Sequence, residues 1–466
     1  MNELPKSCDV LVIGAGNAAL CAAITAREAG ARVVVLEAAP KDFRGGNSRH
    51  IRNIRYAHDA ATDYVTGPYP VDEYYDDLMR VTGGKTNKTL ARMVLETSKE
   101  IPDWMESHGV RFQTPLTGTL GLGRTNAFVL GGGKAMMNAY FARAEELGIT
   151  VIYEAEVTRL VMEDAHASGA SVLHGGKEQE ISARSVVVAS GGFEANIDWL
   201  KDGWGEAAEN FLVRGTPFNK GKLLRVLLDH GAQPVSEADQ CHAVPIDARS
   251  PKFDGGIATR VDCVIYSIVV NKHGKRFYDE GEDIWPKRYA IWGRLVGQQP
   301  DQIAYAIIDS KIQGLFMPTI FPAVQADTIE ELARKLELDP ATVKETVSEY
   351  NKAVRPGEFD PSQPDGCRTR GVKPEKTNWA QKLDTPPFYG YPLRPGITFT
   401  YLGVEVDEKA RVLFGPKRKP ADNIFAAGEV MAGNIMGQGY AGGLGLLVGT
   451  VFGRIAGEEA ARRAIN

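Results

Sequence analysis

The first forty residues alternate short apolar runs with a glycine-containing turn and an alanine-rich stretch. The run from Cys8 to Ile13 is apolar with β-branched members, which predicts a buried parallel strand. An alanine-rich helix is predicted from the following turn to Glu28, and Gly30 stands where it would end that helix. Residues 33–36 form a second apolar run and predict the next strand. The chain therefore opens with a β-turn-α-β unit.

Two later apolar runs fit the same core. Residues 183–190 predict a strand that runs into two glycines, and residues 423–427 predict a strand that runs into a Gly-Glu pair. A final helix is predicted from Leu444 to about Ala464. These elements extend the first domain to both ends of the chain.

The segment between these runs differs in composition. From about Glu237 to Pro395 it carries much of the proline and many of the aromatic residues. Within it, residues 261–271 predict a strand, and residues 328–354 predict two short helices with a turn at an Asp-Pro pair. We therefore expect one discontinuous domain over 1–236 and 396–466, and a second domain inserted over 237–395.

Composition narrows the class of protein. The chain has 466 residues, too many for one compact core. Its net charge of -5 predicts solubility and gives no reason to expect nucleic acid as a partner. No apolar run approaches the roughly 18 residues of a membrane span, and the start has no signal-peptide layout. The five cysteines form no Cys-x-x-Cys, so we expect no metal site and a reducing compartment, the cytoplasm by default.

The turn after the first strand carries a nucleotide-binding pattern. Gly14-x-Gly16-x-x-Ala19 is the dinucleotide fingerprint in its Gly/Ala form. Gly14 permits the tight turn, Gly16 lets the backbone approach a pyrophosphate, and Ala19 lets the helix pack closely on the strand. Glu37 lies about twenty residues on, where an acid binds a ribose hydroxyl and disfavours a 2′-phosphate.

Two further segments favour FAD over NAD. At Gly45–Ser48 the backbone can approach a ligand closely, and two small polar side chains are available. The late strand that ends in Gly428-Glu429 would return the C-terminal part of the chain to the nucleotide crevice. A bare NAD domain needs neither feature.

These motifs together resemble the fumarate reductase/succinate dehydrogenase flavoprotein family along nearly the whole chain. The motifs that carry the resemblance are Gly14-x-Gly16-x-x-Ala19, Gly45-Gly46-Asn47-Ser48, Ser190-Gly191-Gly192, Asn271-x-x-Gly274-x-Arg276-Phe277-x-x-Glu280 and Ala427-Gly428-Glu429. The family implies an α/β fold class, with a discontinuous Rossmann-like FAD-binding domain and an inserted α+β capping domain. Substrate would lie between the cap and the isoalloxazine ring.

Within the family the chain resembles the tricarballylate dehydrogenase branch. The stretches that carry this resemblance are residues 44–53, 277–289, 386–391 and 394–403. The branch implies oxidation of tricarballylate, a small polycarboxylate, to cis-aconitate. It also implies a separate membrane-bound iron–sulfur/haem protein as the electron acceptor, which would bring this cytoplasmic chain to the inner face of the membrane.

The resemblance also implies a set of FAD contacts. They are Gly14, Gly16, Ala19, Glu37, Gly45, Gly46, Asn47, Ser48, Val157, Gly191, Glu429, Gly445 and Leu446. Family members that hold flavin covalently use a histidine just before the Gly-Gly turn. Residues 41–44 contain no histidine, so we expect non-covalent FAD.

Oxidising a saturated carbon–carbon bond next to a carboxylate needs a base, a flavin and cationic groups that hold the carboxylates. His242 matches the family's carboxylate-binding histidine. The family's catalytic arginine position holds Ile284 here, so we expect the nearby Arg288 to transfer the proton or clamp the substrate. Tyr440 replaces a late family arginine, and a tyrosine there is shared with 3-ketosteroid dehydrogenases.

Other polar residues are candidates for substrate contact. The family's second carboxylate-binding histidine falls near Phe399-Thr400, so Thr400 is one candidate. Arg124, Arg260 and Arg394 are the others, because arginine binds carboxylates bidentately.

Three functions remain open. The leading one is a tricarballylate-type dehydrogenase, which the abundance of Arg and His favours. The alternative is an FAD-dependent desaturase or ene-reductase for an uncharged ring ketone such as a steroid, which Tyr440 and the missing second histidine favour. A non-catalytic FAD electron-transfer or assembly subunit is the third.

Overall fold

The computed structural model describes residues 3–115, 122–255 and 258–466, without the side chains of residues 285–288. The strands in this part of the chain are β1 (Ser7–Ile13), β2 (Val33–Leu36), β3 (Asn53–Arg55), β4 (Asn126–Phe128), β5 (Thr150–Ile152), β6 (Ala155–Glu163), β7 (His166–His174), β8 (Lys177–Val188), β9 (Leu212–Val213), β10 (Pro234–Val235), β11 (Cys241–Asp247), β12 (Ile268–Asn271), β13 (Ala304–Asp309), β14 (Val324–Ala326), β15 (Phe388–Thr400), β16 (Gly403–Val404), β17 (Arg411–Phe414) and β18 (Lys419–Ala426). The helices are α1 (Asn17–Glu28), α2 (Val71–Thr82), α3 (Lys88–Thr97), α4 (Ile101–Ser107), α5 (Leu122–Thr125), α6 (Gly132–Glu146), α7 (Ile197–Trp204), α8 (Lys222–Asp229), α9 (Trp285–Gly297), α10 (Ile329–Lys335), α11 (Pro340–Ala353) and α12 (Leu444–Ile465).

A parallel sheet forms the centre of the larger part of the molecule. Its strand order is β17-β18-β8-β1-β2-β5, and β1 pairs in parallel with both β2 and β8. β18 also pairs in parallel with β8, so the last strand of the chain lies beside strands from its first half. The residues from Val10 to Ile13 are buried, as a strand covered on both faces requires. The predicted α/β fold class with its discontinuous sheet is confirmed.

Glycines let the first and last helices of the chain touch. Gly449, Gly453 and Gly457 repeat every four residues along α12 and face α1. A Cβ at Gly453 would stand 2.5 Å from the carbonyl oxygen of Ala18, so only glycine permits this approach. The contact fixes the start of α1 against the start of α12. In the described part of the chain no helix, α12 included, has the length and apolar composition to cross a bilayer.

A second sheet builds the capping region. Its order is β11-β15-β13-β12, all antiparallel, and β14 and β9 also pair with β15. α9 packs on β11 at Gly293, where a Cβ would collide with the backbone of Ala243. β15 continues past the expected domain boundary at 395 and ends at Thr400. One strand therefore belongs both to the capping sheet and to the segment expected in the FAD-binding domain. The division into domains stays a prediction.

The prediction of a strand over residues 261–271 is wrong for the first seven of them. Residues 264–266 form a 3₁₀ turn, and only Ile268–Asn271 is a strand. The amide of Ser267 donates to the carbonyl oxygen of Cys263 at 3.0 Å and so closes the turn. The apolar side chains of this turn are buried all the same, which is why their pattern resembles that of a strand.

Candidate active site

A long cavity lies at the carboxyl ends of the parallel strands, under the cap. Its walls come from the turn after β1, the end of β2 and the start of α12, and on the cap side from β11, β15 and α9. This edge of an open parallel sheet is where ligands bind. We call the part lined by Gly14, Gly16 and Glu37 the glycine region. The part lined by Arg52, Arg214, Arg260, His242, Tyr289 and Tyr440 is the arginine region.

The turn after β1 leaves backbone bare in the glycine region. Gly14 has a φ of 102°, and a Cβ there would collide with the carbonyl oxygen of Ala189 on the neighbouring strand. The amide of Asn17, at the start of α1, donates to Ser48 Oγ at 3.0 Å. Ser48, which is 31 residues away in the sequence, thus accepts a hydrogen bond at the N-terminus of α1. This helix end offers further amides and the positive end of its dipole to an anion.

Glu37 is a buried acid at the end of β2. Its Oε1 accepts a hydrogen bond from the amide of Ala39 at 2.9 Å, and the residue lines the cavity. Burial raises the pKa of the Glu37 carboxyl from 4.5 to about 7, although backbone amides oppose the rise. A ligand with hydroxyl groups could donate further hydrogen bonds to this carboxylate, which is buried away from water.

We expect the Glu37→Gln variant to show how much this burial costs. Between about pH 4.5 and 7 the folded ligand-free chain holds a proton that the unfolded chain has released, so the unfolding free energy falls as pH rises. Glutamine does not titrate. Relative to the variant, the wild type should therefore lose about 3 kcal/mol across this window.

Urea unfolding of both ligand-free proteins at about pH 5 and about pH 8 measures this difference. Other buried acids titrate in both proteins, so the difference between them isolates Glu37. Equal pH slopes in the two proteins would contradict the expectation.

Asn47 joins the Gly45–Ser48 turn to the cap. Its Nδ2 donates to Glu194 Oε1 at 2.5 Å and to the carbonyl oxygen of Thr398 at 2.8 Å. Its Oδ1 accepts from the amide of Thr216 at 2.8 Å. Both the nitrogen and the oxygen of the Asn47 side chain thus already have hydrogen-bond partners in the protein. Asn47 holds two walls of the cavity together, and only its remaining surface faces a ligand.

Two carboxyls, Glu194 and Glu429, are neighbours, and Glu429 lines the cavity. Glu429 Oε1 accepts from the backbone amide and hydroxyl of Thr400, at 2.7 and 3.1 Å. Burial, and then the neighbouring Glu194, raise the pKa of Glu429 well above its ordinary value. Burial also raises the pKa of Glu194, to about 7. The two carboxyls therefore share one buried site, and Glu194 is a residue that sequence reasoning missed.

Most residues predicted to contact the cofactor line the cavity. Those that line it are Gly14, Gly16, Glu37, Gly46, Asn47, Ser48, Val157, Gly191, Glu429, Gly445 and Leu446. Ala19 and Gly45 lie behind the wall: Ala19 is buried in α1, and Gly45, with a φ of 98°, packs on Met137. The structure thus brings segments from both ends of the chain to one cavity. Their contact with a cofactor stays a prediction.

His242 and Tyr440 form a stacked pair in the arginine region. Their ring centroids are 3.9 Å apart and their planes differ by 10°. His242 is buried, and its Nδ1 finds no hydrogen-bond partner among the described residues. Burial, together with Arg214 and Arg260, holds the pKa of His242 well below its usual range. The imidazole is therefore neutral at physiological pH and can accept or donate one hydrogen bond.

Arg260 is held by an acid behind it. Its Nε and Nη2 donate to the two carboxylate oxygens of Asp262 at 2.5 and 2.8 Å. Its Cζ lies 4.8 Å from the centroid of the Tyr289 ring. Arg260 therefore has a fixed position in the cavity wall, as the sequence prediction of a substrate contact requires.

Two arginines that sequence reasoning missed line the same region. Arg214 is buried and donates to Thr398 Oγ1 at 3.3 Å, and burial and then Arg260 lower the pKa of its guanidinium. Burial and Arg260 likewise lower the pKa of Arg52, to about 10. Burial is the larger cause of both shifts and the positive charge of Arg260 adds to it, so an anion between these groups would favour their charged forms. Arg52 lies within residues 44–53, a stretch that carries the resemblance to the tricarballylate dehydrogenase branch, whereas nothing in the sequence distinguishes Arg214 from a surface arginine.

Three other residues that the sequence predicted to contact substrate lie outside the arginine region. Arg124 pairs with Glu73 and donates to the carbonyl oxygen of Pro68, outside the cavity. Arg394 donates to the carbonyl oxygen of Asp301 at 2.8 Å and is also outside it. Thr400 supports Glu429 rather than the arginine region. Arg288 belongs to α9, but its side chain lies outside the described residues.

Comparison with known proteins yields one family model. The model described as "FAD binding domain" matches residues 9–446. This match includes every strand of the parallel sheet except the first two residues of β1.

Three known proteins are similar to the chain along nearly all of its length. "Probable fumarate reductase Ifc3" of Shewanella frigidimarina is 28% identical, over 99% of this chain and 76% of the relative. "NADH:fumarate oxidoreductase" of Klebsiella pneumoniae is 27% identical, over 99% of this chain but 48% of the relative, so the chain spans about half of that protein. The solved open conformation of a flavocytochrome c3 fumarate reductase has a TM-score of 0.76 at 26% identity, over 99% of this chain and 79% of that one.

Proposed function

The chain belongs to the FAD binding domain family of fumarate reductase-type flavoproteins, and from this premise we propose that it oxidises a small polycarboxylate. It is an FAD-dependent oxidoreductase that acts on carbon–carbon bonds. The substrate we propose is tricarballylate, which the reaction converts to cis-aconitate. The observation that supports this substrate class is the group of three guanidinium groups in the arginine region.

The glycine region fits FAD. Bare backbone at Gly14 and Gly16 and the N-terminus of α1 suit a pyrophosphate, and Glu37 offers an acceptor for ribose hydroxyls. Glu429 and the start of α12 line the continuation of the same cavity. When bound, FAD supplies the two-electron exchange with the substrate. We propose non-covalent binding, because residues 41–44 contain no histidine.

The charge of the arginine region favours a substrate with several carboxylates. Arg52, Arg214 and Arg260 are cations, and Asp262 is the acid paired with Arg260. Burial lowers the pKa of His50, a neighbouring wall residue, to about 4, and the pKa of His242 is also low, so neither imidazole adds charge. The described residues of this region therefore present two positive charges in excess. A monocarboxylate would leave part of this charge uncompensated.

The wall residues can hold such a substrate through their own guanidinium and imidazole groups. Guanidinium groups bind carboxylates in two parallel hydrogen bonds and so fix the orientation of the carbon chain. The neutral His242 can hydrogen-bond a carboxylate through the ring nitrogen that has no protein partner. Cations next to a carboxylate also stabilise the negative charge that develops on it when the neighbouring C–H bond breaks.

A second candidate function has one observation in its favour. Two tyrosines, Tyr289 and Tyr440, line the arginine region together with Phe399, and such a wall also suits a ring ketone. This arrangement fits the ketosteroid-type desaturase or ene-reductase. The three cations weigh against it, because an uncharged ligand brings no negative charge to a wall that carries three guanidinium groups and one carboxylate.

Anaerobic addition of tricarballylate to the flavin-loaded protein tests the proposal. We expect the absorbance of the oxidised flavin in the blue region to disappear. We expect one cis-aconitate to form for each flavin that is reduced. Thermal unfolding with citrate, tricarballylate, succinate, fumarate and a ketosteroid gives a parallel measure of binding. We expect the tricarboxylates to stabilise the protein most, because they match the charge of the arginine region.

The alternatives predict other results. Stabilisation by the ketosteroid alone would contradict the polycarboxylate substrate. Binding of ligands with no bleaching by any of them would indicate a non-catalytic electron-transfer subunit.

We further propose a separate electron acceptor. The tricarballylate dehydrogenase resemblance implies a membrane-bound iron–sulfur/haem protein, which would place this chain in the cytoplasm at the inner face of the membrane. Turnover that is slow with oxygen and fast with an artificial acceptor would support such a partner.

A further inference from the structure

Tyr289 occupies a position in the arginine region that suits proton transfer. It lies in the first half of α9 and lines the cavity next to Arg260 and His242. We propose that Tyr289 is the catalytic residue that exchanges the proton with the substrate. This inference rests on the function proposed above, and it moves the role expected for Arg288 to the next residue of the helix.

The surroundings of Tyr289 hold its ring and its hydroxyl. The guanidinium carbon of Arg260 lies 4.8 Å from the ring centroid, and the His242 ring meets it edge-on at 5.9 Å. The hydroxyl lies 3.0 Å from the place that a Cβ on Gly442 would occupy. Gly442 therefore leaves room for the hydroxyl, and a larger residue would push it aside.

Arg260 also suits the chemistry of the proposed role. A guanidinium next to a phenol offsets the negative charge that develops on the phenol oxygen during proton transfer. Its own charge is balanced on the far side by Asp262, which keeps it in place. The pairing thus orients Arg260 toward Tyr289 and the cavity.

The other candidates in the wall are less suited to proton transfer. Arg260 keeps its proton in any ordinary protein environment. The pKa of His242 is far below neutrality, so the imidazole is a weak base there. Burial raises the pKa of the Tyr440 phenol above its ordinary value, and the hydroxyl oxygen of Tyr440 accepts from the amide of Gly445 at 3.2 Å.

The proposed step balances as follows. The C–H bond next to a carboxylate breaks, its proton passes to the Tyr289 hydroxyl oxygen while the hydroxyl proton of Tyr289 passes to water, and the electron pair of the broken bond forms the new carbon–carbon double bond. The C–H bond on the adjacent carbon breaks at the same time, and its hydrogen leaves with the electron pair; oxidised FAD held by the glycine region would supply the two-electron acceptor for it. The substrate loses two hydrogens and two electrons, and one of the hydrogens reaches water as a proton through Tyr289.

The Tyr289→Phe variant tests this step, because it removes only the hydroxyl group. We expect kcat with tricarballylate and an artificial acceptor to fall by at least about 100-fold, the usual contribution of a general acid or base. We expect citrate to bind as in the wild type, measured by titration calorimetry. Citrate has no hydrogen on its central carbon and so is a tricarboxylate that cannot form the double bond by this reaction.

Matched variants make the outcome decisive. Tyr278→Phe makes the same change in the same segment, at a hydroxyl that donates to Glu282 outside the cavity, and should keep the wild-type kcat. Tyr440→Phe should keep more activity than Tyr289→Phe. A Tyr289→Phe variant that keeps its kcat, or that loses citrate binding in parallel with kcat, would overturn the proposal. So would a larger loss in Tyr440→Phe.

Failure of this inference can be told apart from failure of the proposed function. If the wild type neither bleaches with tricarballylate nor turns it over, the proposed function is wrong. If the wild type is active and Tyr289→Phe is equally active, only the role of Tyr289 is wrong.

Discussion

Replacing Arg260 by methionine should lower kcat/KM for tricarballylate by about 100- to 1000-fold, or about 3–4 kcal/mol. Methionine keeps a long side chain but has no charge. The variant loses one carboxylate-binding guanidinium and leaves Asp262 without its cation, so the positive charge in excess in the arginine region falls from two to one and its attraction for the substrate weakens. Steady-state rates with an artificial acceptor measure this loss, and citrate titration shows how much of it lies in binding.

Arg394→Met is the matched control for this experiment. It makes the same change in a half-buried arginine that donates to the carbonyl oxygen of Asp301, outside the cavity. We expect kcat/KM of this variant to stay near the wild-type value. Equal losses in the two variants would contradict the assignment of Arg260 and would favour the sequence prediction that Arg394 contacts the substrate.

Replacing Arg276 by methionine should destabilise the protein by about 3–5 kcal/mol, because it breaks a buried ion pair. Arg276 Nε and Nη2 donate to Glu280 at 2.9 and 2.5 Å, and both side chains are at most 2% exposed. The variant leaves the Glu280 carboxylate in the interior with its main cation gone. Urea unfolding followed by tryptophan fluorescence measures the change, since Trp292 and Trp379 are buried in the cap.

A double variant, Arg276→Met with Glu280→Gln, separates charge from packing. Glutamine keeps an acceptor for the amide of Val269, which donates to Glu280 Oε1 at 2.9 Å, but has no charge to bury. We expect the double variant to be more stable than Arg276→Met alone. If it is equally unstable, the loss comes from the contacts of Arg276 with Pro374 and Tyr350 instead.

This ion pair explains why the Arg-Phe-x-x-Glu pattern belongs to the cap. It ties the end of β12 to the loop that carries Lys376, whose Nζ donates to the carbonyl oxygen of Ser267 at 2.6 Å. Burial lowers the pKa of Lys376 to about 8, and Glu280 opposes that shift. The Arg-Phe-x-x-Glu pattern therefore stabilises the cap, and it lies just before the helix that contains Tyr289.

The sequence by itself determined the elements whose signals are local. The opening strand, turn and helix follow from an apolar run, a glycine that needs a φ of 102° and an alanine-rich stretch. The turn between the two short helices also follows, because α11 begins at Pro340 and the side chain of Asp339 caps it by accepting from the amide of Thr342. The final helix was predicted from Leu444 to about Ala464 and runs to Ile465. In each case neighbouring residues contain the physical cause.

The sequence predicted His242, Arg260 and Tyr440 as site residues, but only the tertiary structure brought them together and added Arg52, Arg214 and Tyr289. Arg52, Arg214, Arg260 and Tyr289 come from four distant segments, and a buried arginine has no sequence pattern that separates it from an exposed one. The same holds for Glu194, whose role depends on Glu429 more than two hundred residues later. The physical reason is that charge interactions act through space, whereas periodicity and capping act along the chain. Burial and the approach of other charges, which set the protonation of these groups, arise only when the cap closes over the sheet.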